Sequence, residues 1–382
     1  MRQSFSRQSG VALIATLLLM TSIVFILGNI FYRHQINIAQ STLAIHQKQA
    51  YFLALGAESW ARQLLNEDSA DSQVDHFEEL WAQAIPAMPV DGGMINGCIS
   101  DLQGRFNLNN FLVGYGSSGA LSAKLSGDEA SSAKIWNNLL RYLDIPVFPG
   151  RVEAIIDWVD KGSSKIGPDG AEQDEYAAAI PPRMIADSAM VEPGELASVV
   201  GYEIFEVQKL RPWITTLPVE DIKAGVKHTP VKINVNTASE ELLLAMGGDF
   251  DMQFRDSVLA YRPFENLSEF HTQLADDFAL SQSDIQRRWP DTLVDIKSDF
   301  FELYIEVTLG DARIEVRSII MRSSRADSVI ISRELTTVPA SVDKNSASEL
   351  LGKLLAKADS GKESEKIIDD QQVLPACLMI GA

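Results

Sequence analysis

The chain is poor in the residues that nucleophilic catalysis and soft-metal capture require. Its 382 residues include 2 cysteines and 5 histidines. Cys98 and Cys377 stand far apart with no CxxC spacing, which removes zinc-ribbon and thioredoxin-like readings. His34, His46, His76, His228 and His271 are scattered among unrelated stretches, and neither GxSxG nor HExxH occurs. Nothing in the residues favours an enzyme, and none is expected. Cations are scarce as well: 33 Lys and Arg against 52 Asp and Glu leave a net charge of −19. Phosphate backbones are held by clustered Lys and Arg, so a general nucleic-acid surface is not expected.

The most informative absence is local. From Val11 to Phe31 no residue is charged. At about 1.5 Å per residue, about 20 apolar residues span a hydrocarbon core of about 30 Å. Arg2 and Arg7 precede the run, so the positive-inside rule keeps the N-terminus cytoplasmic and carries the chain after Arg33 across the membrane. A cleaved secretory signal has an apolar region of about 7–15 residues and a small-residue cleavage site. Here the run is longer, and bulky Phe31, Tyr32, Arg33 and His34 follow it. Taken alone, the run fits an ordinary single-pass anchor as well as anything more specific.

Behind the anchor the composition is globular, 46% hydrophobic and 22% charged, enough for one large or two to three small domains. Between Asn37 and Leu65 there is no proline, and Ile38, Ile45, Phe52, Leu53, Trp60 and Leu64 recur at helical spacing. One long helix, half in lipid and half packed on a domain, is expected to end within the polar stretch 66–75. A short helix is expected over 77–84, and Ile85 to Pro89 should break regular structure. Met94 to Phe111 reads as short extended segments, and Gly114 to Gly127 as a Gly-Ser loop. Apolar faces predict helices over 133–143 and 152–159, a polar loop over 160–176, short helices over 183–210 and further helices between Ser239 and Leu274. The period then changes. Phe301, Leu303, Ile305 and Val307 alternate with polar residues, as do Ile314, Val316 and Ile320, and Ser328 to Arg333 adds a third strand.

The fold class expected is α+β: a long N-terminal helix on an antiparallel sheet, with a large all-helical insertion. The expected divisions are a leader at 1–10, a transmembrane segment at 11–31, and helix plus first strands at 32–113. A helical insertion of two small units at 114–280, a meander at 281–338 and a flexible tail at 339–382 complete them. Cys98 and Cys377 either form one disulfide that clips the tail to the body or remain two thiols.

Ser9-Gly10-Val11-Ala12-Leu13-Ile14 resembles the processing site of type IV pilin-like precursors. The resemblance implies cleavage between Gly10 and Val11 by a prepilin peptidase and N-methylation of Val11. Most pilins carry glutamate at the fifth mature position, where it neutralises the terminal amine of a neighbouring subunit in the apolar filament core. Here that position is Ala15. Lack of that carboxylate, together with a helical insertion, is similar to the K-type minor pseudopilins of type II secretion systems. Tyr51 to Ala61, Asp101 to Asn109, Ile156 to Asp160 and Ile233 to Ala238 look like landmarks of that family, over about residues 8–335.

The family likeness implies an inner-membrane, single-pass subunit with its bulk in the periplasm. It would act with I-type and J-type minor pseudopilins and the major pseudopilin, cap the pseudopilus and help start its assembly. Contact with secreted proteins or the secretin is a further implication. Calcium is the implied ion: Asp157, Asp160, Glu172 and Asp174, with Glu175, flank the glycine-punctuated loop, and oxygen ligands on a turning backbone suit this cation. Lys161 and Gly162 stand where the family tends to have another aspartate. A solvated acidic loop is the plainer reading. Two rivals share parts of the pattern, a minor pilin of a type IV pilus and a membrane-anchored helix-hairpin-helix DNA-binding protein. Against the second, Gly247-Gly248-Asp249-Phe250-Asp251 puts two aspartates where a phosphate-binding hairpin needs bare amides.

Overall fold

The computed structural model describes residues 9–83, 85–112, 131–219, 230–322 and 327–339. Most of the leader, the Gly-Ser stretch 114–127, the tail beyond 339 and Cys377 lie outside the described residues.

Helix α1 (Ser9–Asp71) runs unbroken for 63 residues, about 95 Å. Strands β1 (Ile85–Val90) and β2 (Gly93–Asp101) follow, and then a long helical excursion. It contains β3 (Phe106–Asn107), α2 (Ser132–Tyr142), α3 (Arg151–Val159), α4 (Gln173–Ala178), α5 (Ile204–Leu210) and β4 (Ile214–Thr215). It continues with β5 (Ile233–Asn234), α6 (Glu240–Gly247), α7 (Asp251–Tyr261), α8 (Leu267–Phe278), α9 (Gln282–Arg288) and β6 (Val294–Asp295). The chain then returns as β7 (Phe300–Leu309), β8 (Ala312–Arg322) and β9 (Ser328–Pro339).

The main sheet has the order β1-β2-β7-β8-β9, antiparallel throughout. β2 and β7 are direct neighbours, with Ile95 opposite Val307 and Ile99 opposite Leu303. The helical domain is therefore an insertion into one hairpin of a plain meander. Alternation did its work here: Phe301, Leu303, Ile305, Val307, Ile314, Val316 and Ile320 are all buried against α1.

The contact face of α1 matches the expected one at Leu64, which is buried, and at Leu53, which packs on the core, and departs from it elsewhere. Ile38, Ile45, Phe52 and Trp60 are exposed, whereas Ala50, Ala54, Ala61, Leu64 and Leu65 are buried. Small side chains let the helix lie close on the sheet, so the bulky residues are left facing outward. Ile85 to Pro89 also departs from expectation by forming β1. Pro86 and Pro89 fit because β1 is an edge strand, with a bulge between Ile85 and Met88. Among the described residues of 77–84, which end at 83, only the 3-10 turn Leu80–Ala82 is helical, and β9 extends beyond Arg333 to Pro339.

The insertion is wider than 114–280. Its core starts at Phe106, Leu108 and Phe111 and reaches Trp289, Val294 and Ile296. Trp289 stacks on Phe254 at 4.4 Å, and its indole N–H donates to the Met246 carbonyl at 3.0 Å, so α9 and the residues after it close the second helical unit. Hydroxyl and amide N-caps start its helices: Ser239 accepts from the Leu242 amide and Asn266 from the Glu269 amide.

Candidate functional site

Every residue of α1 from Val11 to Ile45 is exposed, and the membrane-length window within the helix has mean hydropathy 2.6. An apolar helical surface of this length, uncovered by protein, matches a bilayer. Between Val11 and Phe31 the three hydroxyls are satisfied within the helix. Thr16 donates to the Leu13 carbonyl at 2.9 Å, Thr21 to Leu17 at 3.0 Å and Ser22 to Leu18 at 2.8 Å, the arrangement hydrocarbon demands. Gly10, Val11 and Ala15 lie in the first two turns, and no side chain from Val11 to Phe31 brings a charge.

The acidic loop begins where α3 ends. Asp157 is fully buried; its Oδ1 accepts from the Ile166 amide at 2.9 Å and its Oδ2 from the Ala171 amide at 2.8 Å. A side chain at Gly170 would place its Cβ 2.3 Å from Asp157 Oδ2, so glycine is what lets the loop wrap the carboxylate. Burial pushes Asp157 up to about 7 against those two amide bonds, with Glu172 and Asp160 adding repulsion. Asp157 thus organises the loop backbone. Asp160 accepts from the Gly162 amide at 2.7 Å.

Glu172 is 7% exposed, and its Oε1 has no hydrogen-bond partner among the described residues. Its carboxyl is raised by burial and then by the charges of Asp160 and Asp187; Asp160 is raised by burial and by Asp187. Asp187, held at φ 48°, thereby joins the group from a separate loop. Asp174 does not join it: it lies exposed in the first turn of α4, beside the Lys165–Glu175 ion pair. Asp160, Glu172 and Asp187 thus repel one another, and the orphaned Glu172 oxygen is the kind of acceptor a hard divalent cation takes. The tightest carboxylate group among the described residues, Asp68, Asp75 and Glu79, already has its cation. Arg322 lies 3.1 Å from Asp68 and 2.6 Å from Asp75.

The domain junction brings together two landmark stretches. Fully buried Asn234 donates to the Asp75 carbonyl at 3.1 Å, to Ser298 at 2.9 Å and to Asp101 Oδ2 at 3.2 Å. Thr237 and Ser298 hydroxyls also donate to Asp101, which sits at the end of β2. Gly104 passes so close to the Thr237 carbonyl that a Cβ would lie 2.4 Å from it. Asn107 and Asn109 accept from the Leu217 and Met190 amides, fixing the return of the first helical unit. The polar residues of Asp101 to Asn109 and Ile233 to Ala238 are thus the joint between sheet and insertion.

Two family models, both described as type II secretion system protein K, match residues 104–219 and 233–285. The type II secretion system protein K of Aeromonas hydrophila is 28% identical over 341 residues, covering 86% of this chain and 98% of that protein. That of Pseudomonas aeruginosa is 27% identical, covering 86% and 93%. The chain is similar to the type II secretion system protein K family over 86% of its length. A chain in the crystal structure of the GspK-GspI-GspJ complex of enterotoxigenic Escherichia coli aligns with TM-score 0.62 at 22% identity, over 76% of this chain and 96% of that one. That likeness carries the fold, the α+β arrangement of long helix, antiparallel sheet and helical insertion.

Within the protein K family frame, the two matched segments correspond to the two helical units that flank residues 220–229. The turn after α6 is acidic, and Asp251 accepts from the Tyr142 hydroxyl, which closes it against α2. Asp187 escaped sequence reasoning because it stands 15 residues beyond Glu172 with no spacing signal (187 − 172). Ser298 and Arg322 at the joint were equally unmarked.

Proposed function

We propose that this chain is the minor pseudopilin that caps the type II secretion pseudopilus and helps initiate its assembly. The observation carrying the reading is α1: an unbroken helix whose exposed apolar first half lacks the usual carboxylate, with Ala15 in its place. A subunit without that charge cannot neutralise the terminal amine of a subunit ahead of it, so it belongs at an end. Prepilin peptidase cuts between Gly10 and Val11, Val11 is methylated, and the anchor holds the chain in the inner membrane with its bulk periplasmic. Outward-facing Ile45, Phe52 and Trp60 offer a helix surface to I-type and J-type minor pseudopilins and to the major pseudopilin. The solved complex of GspK with GspI and GspJ supports this choice of partners. Secreted proteins or the secretin are reached from the helical domain at the tip. Mass spectrometry of the mature chain tests the reading: an N-terminus at methylated Val11 with co-purification of two minor pseudopilins supports it, and a stable uncleaved Met1 overturns it.

Calcium belongs to the same proposal, held by Asp160, Glu172 and Asp187. Bound calcium supplies the divalent charge that removes their mutual repulsion. Asp157 holds the backbone on which Glu172 is presented, and Asp174 stays outside the group. Calorimetric titration checks the assignment: saturable binding that Asp187→Asn abolishes and Asp174→Asn leaves intact is expected, and no heat at millimolar calcium ends it.

A further inference from the structure

The loop from Ala179 to Glu192 combines two properties that rarely coincide. It presents large apolar side chains to water: Ile180 is 97% exposed, Met184 80% and Val191 74%. Yet its backbone is fixed at both ends. The Arg183 amide donates to the Tyr176 carbonyl at 3.0 Å, and the Arg183 guanidinium donates to the Ser198 carbonyl at 2.9 Å. The Ile185 amide donates to Gln173 at 3.2 Å. Met190 exchanges bonds of 2.8 and 2.9 Å with the side chain of Asn109, and the Val191 amide donates to Glu195 at 2.7 Å. A loop tied this firmly cannot fold its apolar side chains away, and exposed apolar surface held in place marks contact with another molecule. At its end, Val191 also lines an interdomain cleft of about 290 Å³ with Pro193, Pro212, Ile214 and Ile319. There Arg105 and Arg317 pair with Glu302, and Arg211 stands with Glu192 and Glu334, so the cleft is charge-balanced and offers apolar surface continuing inward from the acidic loop.

Charge specifies what fits. Between Ala171 and Ser198 there are six carboxylates, Glu172, Asp174, Glu175, Asp187, Glu192 and Glu195, and one basic residue, Arg183. Arg183 is spent on the carbonyls of Ala197 and Ser198. Even with a divalent ion among Asp160, Glu172 and Asp187, negative charge remains at Asp174, Glu192 and Glu195. We infer that the loop 179–192 and the adjoining cleft form a docking surface for an extended polypeptide segment bearing apolar side chains flanked by Lys or Arg. The apolar side chains supply burial and the carboxylate rim supplies sign selectivity. The docking surface stands whether or not the chain caps a filament.

The test uses the full chain in nanodiscs of zwitterionic lipid, with short fluorescent peptides of alternating leucine and lysine or leucine and glutamate. Anisotropy should report the lysine peptide binding with a dissociation constant of about 10–100 μM and the glutamate peptide not binding. Ile180→Ser with Met184→Ser, at largely exposed side chains, should weaken binding at least about tenfold while circular dichroism stays unchanged. Glu192→Gln with Asp174→Asn should weaken the lysine peptide severalfold and remove the salt dependence. Equal binding of both peptides overturns the inference, as does lysine-peptide binding that the serine variants leave intact. So does self-association through this loop, seen as larger particles that the serine variants abolish without any peptide bound.

Discussion

Glu58 shows how much one side chain of α1 decides. It is buried against the sheet, accepting from the Ser318 hydroxyl at 2.7 Å and from Arg333 Nε at 2.8 Å. Burial pushes its carboxyl up, but the Arg333 and Ser318 bonds outweigh that and hold it below the ordinary range. Removing the charge leaves Arg333 half-paired, and Arg333 is partly solvated, which limits the loss. Glu58→Gln should therefore cost about 1–3 kcal/mol, read as a lower urea midpoint with unchanged m-value. At Gly104 the constraint is steric: any Cβ meets the Thr237 carbonyl, so the backbone must part at the joint. Gly104→Ala should cost about 1–3 kcal/mol and increase proteolysis between the sheet and the helical domain.

At the scale of elements, legibility followed side-chain size and spacing. The alternating strands β7 and β8 were readable because one face carries Phe301, Leu303, Ile305, Val307, Ile314, Val316 and Ile320, while the other is mostly polar apart from Phe300, Ile319 and Met321, which pack in a separate cluster. The sheet-facing stripe of α1 was not, because it is largely alanine at 50, 54 and 61, and alanine gives a weak apolar signal while allowing close approach. The prolines of β1 read as breakers because sequence does not reveal which strand will be an edge. At the acidic site the loop backbone was foreseeable from its glycines, whereas Asp187 arrives through the tertiary fold. The alanine stripe predicts a directional outcome: Ala54→Leu, which enlarges a fully buried contact, should destabilise the sheet domain by about 1–3 kcal/mol. Phe52→Ala on the outward face should change its melting temperature little. Thermal unfolding of the two variants checks the pair.

Across the whole molecule, acid should stabilise rather than unfold the protein over the first pH units below neutrality. Asp101 at the joint is pushed up to about 6 by burial, against bonds from Ser298 and Thr237 and with repulsion from Asp75. Asp68 is likewise raised to about 6, by burial and then by Glu79 and Asp75. A carboxyl whose folded pKa exceeds its unfolded value of about 3.9 binds its proton more tightly when folded. Stability from such groups is complete below about pH 4 and is lost as pH rises through 6. Glu58 works in the opposite direction, but its lowered pKa keeps it charged at pH 5. The net charge of −19 adds self-repulsion that also eases on acidification. The melting temperature should therefore be higher at pH 5 than at pH 7.5. Self-repulsion acts through every carboxylate, so Asp101→Asn separates the causes. If the joint carries the effect, that variant flattens the profile between pH 7.5 and 5, with Asp101 alone contributing on the order of 1 kcal/mol across that window. If the profile keeps its slope, Asp101 does not carry it, and the other raised carboxyls, Asp157 and Asp68, or the diffuse charge do.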